Sequence, residues 1–186
     1  MPCAHTNPLP STPLRYSAWP PSPRPSAPWL RPAASSDATP APPVNNQTID
    51  PVAFFTGHAE GRASLHELLS AARPLQVHSD GRSDGKGGVI LVQRIEQEGR
   101  PERTRSWHLV PAGPGRFTGT LTDANGPVEA IVDGPHLNIH YPMKGGLEVA
   151  QTLTLSPDAT SLVNRMSVTK MGLRVAHLEA FIRKQS

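Results

Sequence analysis

The sequence predicts an all-β chain: an antiparallel up-and-down meander closing into a barrel of about 8–10 strands, with one short helix near the start and a disordered N-terminal arm. Three observations carry this. Prolines are unevenly placed, with 13 of the 22 in the 186-residue chain falling in residues 1–50. Beyond that point short apolar runs recur at regular spacing, each closed by Gly, Pro, Asn or Asp. The connections between runs are short, which suits antiparallel neighbours rather than parallel crossovers.

The proline-dense stretch carries little besides Ser, Ala and polar residues. It cannot bury enough apolar surface to offset the entropy of ordering. Residues 1–49 are therefore expected to be a disordered arm or linker, and residues 50–186 a single domain with a core of its own. Within that domain Ala63–Ala72 (ASLHELLSAA) places Leu65, Leu68 and Leu69 on one helical face and predicts the short helix. Gly88–Glu96 (GVILVQRIE) predicts a strand rich in Val and Ile, after the turn Asp84–Gly88. Further strands are predicted at Arg103–Val110, Arg116–Thr122, Pro127–Val132 and His136–Met143. Leu147–Leu155 alternates apolar and polar residues, and Ser161–Thr169 and Leu173–Lys184 complete the series. Closure of these strands would remove exposed edges and leave an interior able to hold side chains or one small ligand.

Composition excludes several function classes. The formal charge is +3, but residues 51–186 hold 15 Lys/Arg against 13 Asp/Glu. The densest basic stretch, Arg100–Arg105, is interrupted by Glu102, so no nucleic-acid partner is expected. Cys3 is the only cysteine and no internal disulfide can form. No run reaches the roughly 18 apolar residues of a transmembrane helix. Residues 1–30 lack the apolar core of a secretory signal, since prolines punctuate every candidate run.

No nucleophile elbow, zinc-protease helix, phosphate loop or dinucleotide fingerprint is present. His136, Asn138 and His140 share one strand face, a spacing that two metal-bound imidazoles could use. The opposite face carries Leu137, Ile139, Tyr141 and Met143, however, so the histidines are expected in solvent and no metal is predicted. More informative are polar residues in the apolar phase of strands. Gln93 is in phase with Val89, Leu91 and Ile95, and Gln151 with Val149 and Leu153. Arg103 and Arg105 share a face with Trp107 and Leu109, and His177 and Glu179 follow Leu173 and Val175. If those faces point inward, an apolar pocket gains the few polar groups that ligand sites use; if the phase shifts near strand ends, they reach solvent. The candidate ligand-binding set is thus Gln93, Arg105, Trp107, Gln151, His177 and Glu179. Buried charge needs a partner, which makes Arg105 with Glu179 a conceivable pair. Trp107 itself reads more readily as a plug of the core.

Three segments together resemble a known family: Phe54-Phe55-Thr56-Gly57 with Gly61, the block Gly115–Asp123, and the closing stretch Asn164–Val175. The resemblance is to an uncharacterised bacterial family, domain of unknown function 3833, over residues 50–184 and none of the arm. It implies a small lipocalin-like barrel, often a lipoprotein or exported envelope protein, with no reaction, cofactor or catalytic residue to carry over. Asn164, Arg165, Lys170 and Gly172 match its closing motif, whose role the resemblance does not supply. Family members often begin with an apolar export signal, and here the arm stands in its place. Ala34–Pro42 resembles the tether after such a signal, which would make residues 1–33 a misplaced start or a shifted frame.

The expectation is a non-enzymatic, cofactor-free envelope or periplasmic protein that binds a small apolar or amphipathic ligand. The alternative is a structural or interaction module with a filled barrel that contacts another envelope protein. A barrel isomerase or cyclase ranks third.

Overall fold

The structure, a computed structural model, describes residues 46–68 and 70–185. The arm up to residue 45, with Cys3 and the Ala34–Pro42 stretch, lies outside the described residues, as does Leu69. Ten strands follow one five-residue helix, α1 (Pro51–Phe55): β1 Gly57–Glu67, β2 Arg73–Ser83, β3 Val89–Gln97, β4 Arg103–Gly113 and β5 Arg116–Leu121; then β6 Val128–Asp133, β7 His136–Met143, β8 Leu147–Leu155, β9 Ser161–Lys170 and β10 Leu173–Lys184. Each strand pairs antiparallel with its predecessor, and β1 pairs with β10 to close the barrel. No helix among the described residues is long and apolar enough to cross a membrane.

The predicted short helix exists, but not where the leucine spacing placed it. Ala63–Glu67 belongs to β1, bonded on one side to β10 (Ala63↔Ala180, Leu65↔Leu178) and on the other to β2 (Ala63↔Leu75, Leu65↔Arg73). Two ladders of long-range hydrogen bonds outweigh a weak local preference for helix. Gly61, Ala63 and Leu65 then line the interior at a strand's period of two. The true helix starts at Asp50-Pro51. Asp50 Oδ1 accepts from Val52 N at 2.9 Å and Ala53 N at 3.0 Å, and Pro51 occupies the first turn, where its missing N–H is harmless. Ile49 is 2% exposed and its N–H donates to Gly134 O at 2.9 Å, so the folded domain begins before the expected boundary at residue 50.

Helix α1 sits against β1, β2 and β3 and contributes Phe54 and Phe55 to the core. These rings meet edge-on at 5.2 Å and close one end of the barrel. The core they join contains Leu91, Trp107, Leu109, Leu137, Tyr141 and Leu153, all inward-facing. Close docking of α1 depends on Gly81: a Cβ there would lie 1.7 Å from Phe55 O. The neighbouring β2–β3 turn is held by Asp84, whose Oδ1 accepts from Lys86 N (2.7 Å) and Gly88 N (2.8 Å), while Oδ2 meets His108 Nε2 at 3.0 Å. The His108 hydrogen bond, then the two backbone amides, holds the Asp84 carboxyl well below its ordinary value, at about 2.

Two outcomes follow from these contacts. Gly81→Ala forces backbone apart and should lower stability by about 1–3 kcal/mol in urea unfolding, with a changed near-ultraviolet signal from the displaced aromatic plug. Asp84 stabilises the fold above its unfolded value near 3.8, and that stabilisation is lost as pH falls toward about 2. The stability gap between wild type and Asp84→Asn should therefore narrow as the pH of the unfolding titration is lowered from 5 to about 2.

Candidate functional site in the barrel interior

Strand register brings three polar side chains side by side across β2, β3 and β4. Ser79 is opposite Gln93, and Gln93 is opposite Arg105. Gln93 is 7% exposed and Ser79 4%. The Gln93 carboxamide ties the row together. Its Nε2 donates to Ser79 Oγ at 3.1 Å, and its Oε1 accepts from both Arg105 Nε and Trp107 Nε1 at 2.8 Å. The Arg105 guanidinium lies 5.4 Å from the centre of the Trp107 ring. Trp107 in turn meets Tyr141 edge-on at 5.6 Å. Across the barrel, Gln151 Oε1 accepts from Asn164 Nδ2 at 3.3 Å, and Asn164 Oδ1 is buried without a hydrogen-bond partner.

Two cavities flank this polar layer. One of about 100 Å³ runs between β1, β2 and β10, with Gly61, Ala63, Leu75, Val77 and Ala180 among its walls. The other, about 50 Å³, lies toward α1 and is walled by Phe55, Leu91, Trp107, Leu109 and Leu153. Gln93, Arg105, Gln151, Asn164 and Ile182 border both. Small residues on β1 and β10 leave the space, and large apolar ones surround it.

Arg105 is the electrostatic oddity of this interior. Burial pushes its guanidinium below its usual value, with the Tyr141 and Asp123 charges opposing that and Arg103 adding to it. Burial likewise pushes the Tyr141 phenol up, and Arg105 counters it. Among the described residues no carboxylate comes within 4.0 Å of Arg105. Its one protein hydrogen bond there is the Nε–H to the neutral Gln93. An interior cation without a counter-charge is costly unless something else solvates it.

The structure places Gln93, Arg105, Trp107 and Gln151 together at the cavities, and Arg103 beside the larger one. His177 and Glu179 are not there. A bulge between Arg174 and Ala176 resets the phase of β10, so Leu178, Ala180 and Ile182 face inward, and Phe181, at 51% exposed, faces out. The conceivable Arg105–Glu179 pair is replaced by Arg165 Nε to Glu179 Oε1 at 3.2 Å, on the outer surface. There Arg165, His177 and Glu179 join Glu129, Asn138 and His140 around an open concavity of about 450 Å³ across β6–β10. His136 and His140 take separate partners, Thr154 Oγ1 at 3.0 Å and Glu148 Oε2 at 3.3 Å.

The remaining motif residues have structural parts. Lys170 pairs with Leu173 across a two-residue hairpin in which Met171 (φ 49°) and Gly172 (φ 79°) are both left-handed, the signature of a type I′ turn. Gly172 takes that conformation without the Cβ strain that Met171 bears. Asn164 is the motif residue that reaches the interior. Its signal was present, since it is in phase with Leu162, Met166 and Val168; Ser79 had none, because β2 reads weakly as a strand.

Gln93→Leu removes an acceptor from two donors and a donor from Ser79. Each stranded group costs about 1–3 kcal/mol, so this variant should lose more stability in urea unfolding than Gln151→Leu, which strands only Asn164.

Comparison with solved structures shows that this barrel recurs in chains of very different sequence. The S-type phycobiliprotein lyase CPES from Guillardia theta has a TM-score of 0.55 at 7% identity, covering 73% of this chain and 91% of its own. Rv2717c from Mycobacterium tuberculosis has a TM-score of 0.57 at 13% identity, over 74% of this chain and 99% of that one. A protein of unknown function from the DUF3598 family of Nostoc punctiforme has a TM-score of 0.58 at 11% identity, over 78% of this chain and 53% of that one. No curated protein matches the sequence. The family expected from the sequence does match, from residue 39, inside the segment read as arm, through residue 184. The chain belongs to the DUF3833 family of proteins of unknown function.

Proposed function

We propose that this protein is a non-enzymatic binding protein that holds a small amphipathic ligand inside its barrel. The observation that carries the proposal is the polar layer of Gln93, Arg105, Gln151 and Asn164 set between two apolar-walled cavities. Volume limits the ligand. Spaces of about 100 and 50 Å³ far exceed the roughly 10–15 Å³ that admits one water, yet fall short of the roughly 300–1,000 Å³ of drug-sized sites. A short ligand, or the head of a longer one, is the fit. The interior polar groups are amides, a hydroxyl and a guanidinium, which hydrogen-bond without exchanging protons near neutral pH; this favours binding over acid–base catalysis. The barrels of the phycobiliprotein lyase and its structural neighbours support a fold compatible with an interior ligand. Residence in the cell envelope belongs to the same proposal and rests on the family resemblance.

A second reading, an interaction module, draws on the outer concavity of about 450 Å³ bordered by Arg165, His177 and Glu179. Titration of Trp107 emission separates the two, in a Trp19→Phe/Trp29→Phe background that leaves Trp107 as the only tryptophan. Eight-carbon alcohol, amide and acid are added in turn. At least one should give a saturable change, with a matching bound mass in native mass spectrometry. A flat response to all three, with no bound mass, would sink the interior site and leave the outer surface as the working part.

A further inference from the structure

This inference rests on the binding reading above and names the chemistry of the ligand's polar end. Arg105 has its Nε–H engaged by Gln93 Oε1 at 2.8 Å, and its Cζ lies over the Trp107 ring, 5.4 Å from the centroid. Among the described residues neither Nη nitrogen donates to any protein acceptor, and no carboxylate lies within 4.0 Å. The Gln93 bond and the indole hold the guanidinium in place and leave its Nη edge without an acceptor among the described residues. Its free edge therefore presents two parallel N–H groups in the geometry that a planar, bidentate oxyanion accepts. The residue borders both cavities.

Several observations select the anion. Of the two arginines at the larger cavity Arg103 is exposed and Arg105 half-buried, and the other polar members of the layer, Ser79, Gln93, Gln151 and Asn164, are neutral, so a single cation faces the interior. A doubly charged phosphate would carry an unmatched charge into apolar walls, which is costly. Beyond the polar layer the larger cavity continues along Val77, Leu75, Ala63 and Leu178, with the exposed Arg103 at its border level with Val77. A chain of methylenes suits that path. We propose that the ligand is a monocarboxylate with an apolar chain, its carboxylate seated on the Nη edge of Arg105 and its chain lying in the cavity between β1, β2 and β10.

The test compares three eight-carbon ligands of different charge, octanoate, octanol and octylammonium, by calorimetry on the full chain at neutral pH. Octanoate should bind at least tenfold more tightly than octanol, and octylammonium weakest. Arg105→Gln should remove the preference for octanoate over octanol. A further readout separates this role from a structural one. A residue kept for the fold destabilises it when lost, whereas removing an unneutralised interior cation should stabilise the ligand-free protein. Arg105→Met should thus raise the unliganded melting temperature and abolish the further rise that octanoate gives the wild type.

Equal affinity for octanoate and octanol in the wild type would overturn the carboxylate while leaving a small-amphiphile binder intact. Octanoate binding unaffected by Arg105→Gln would overturn the role of Arg105. Failure of all three ligands would remove the binding reading as well. If Arg105→Gln does not fold, [1-¹³C]octanoate on the wild type and on Arg105→Lys decides the matter. A bound carboxyl resonance that differs between the two supports the contact; identical resonances exclude it.

Discussion

Everything in this molecule depends on the pairing of β1 with β10. Nine residues of each strand are in register, from Ala59↔Lys184 to Glu67↔Ala176. That ladder turns a ten-strand meander with two open edges into a barrel with none. It also decides the secondary structure of its own members. The first five residues of a segment that favours helix, Ala63–Glu67, become strand, because the backbone groups of β1 are needed on both sides at once. The same ladder sets Gly61, Ala63 and Ala180 on the inner wall, where their small side chains leave room. The cavity thus follows from how the barrel is closed.

Closure produces an electrostatic problem as well. Strand alternation sends every second residue of β4 inward, so Arg105 is carried into the interior along with Trp107 and Leu109. Gln93 offers a partial answer. One carbonyl oxygen accepts from both Arg105 and Trp107, and the amide nitrogen reaches back to Ser79. A neutral acceptor orients the guanidinium without cancelling its charge. A carboxylate at the same position would form a closed ion pair and leave nothing for a ligand to do. The choice of glutamine over glutamate leaves the interior charge without a protein counter-charge, which is what the proposed ligand site requires.

Much of the fold was legible because eight strands have strong local signals, in apolar alternation and in Gly, Pro, Asn and Asp at their ends. β1 and β2 do not: RPLQVHSDGRS has few β-branched residues, and ASLHELLSAA favours helix on its own terms. Their strand character comes from partners more than a hundred residues away in the case of β10, and no local window contains it. The candidate site shows the same division. Gln93, Arg105, Trp107 and Gln151 could be found by phase, since each interrupts or accompanies an unbroken apolar alternation. His177 and Glu179 were misplaced because a bulge between Arg174 and Ala176 shifts the phase within a single strand. Asn164 was readable by phase too, yet only the packing shows that its side chain meets Gln151.

Volume and charge together limit what the proposed binding site can hold. With cavities of about 100 and 50 Å³, the interior cannot enclose a large hydrophobic molecule, so apolar contact alone would give modest affinity. Each buried methylene contributes only about 0.8 kcal/mol. A charge-assisted contact is the stronger lever, because a half-buried guanidinium has less water to lose than an exposed one when a ligand arrives. The folding of the barrel has met part of that desolvation in advance. A small cavity with one oriented, unneutralised cation is therefore better suited to discriminating among ligands by their polar end than by the size of their apolar part.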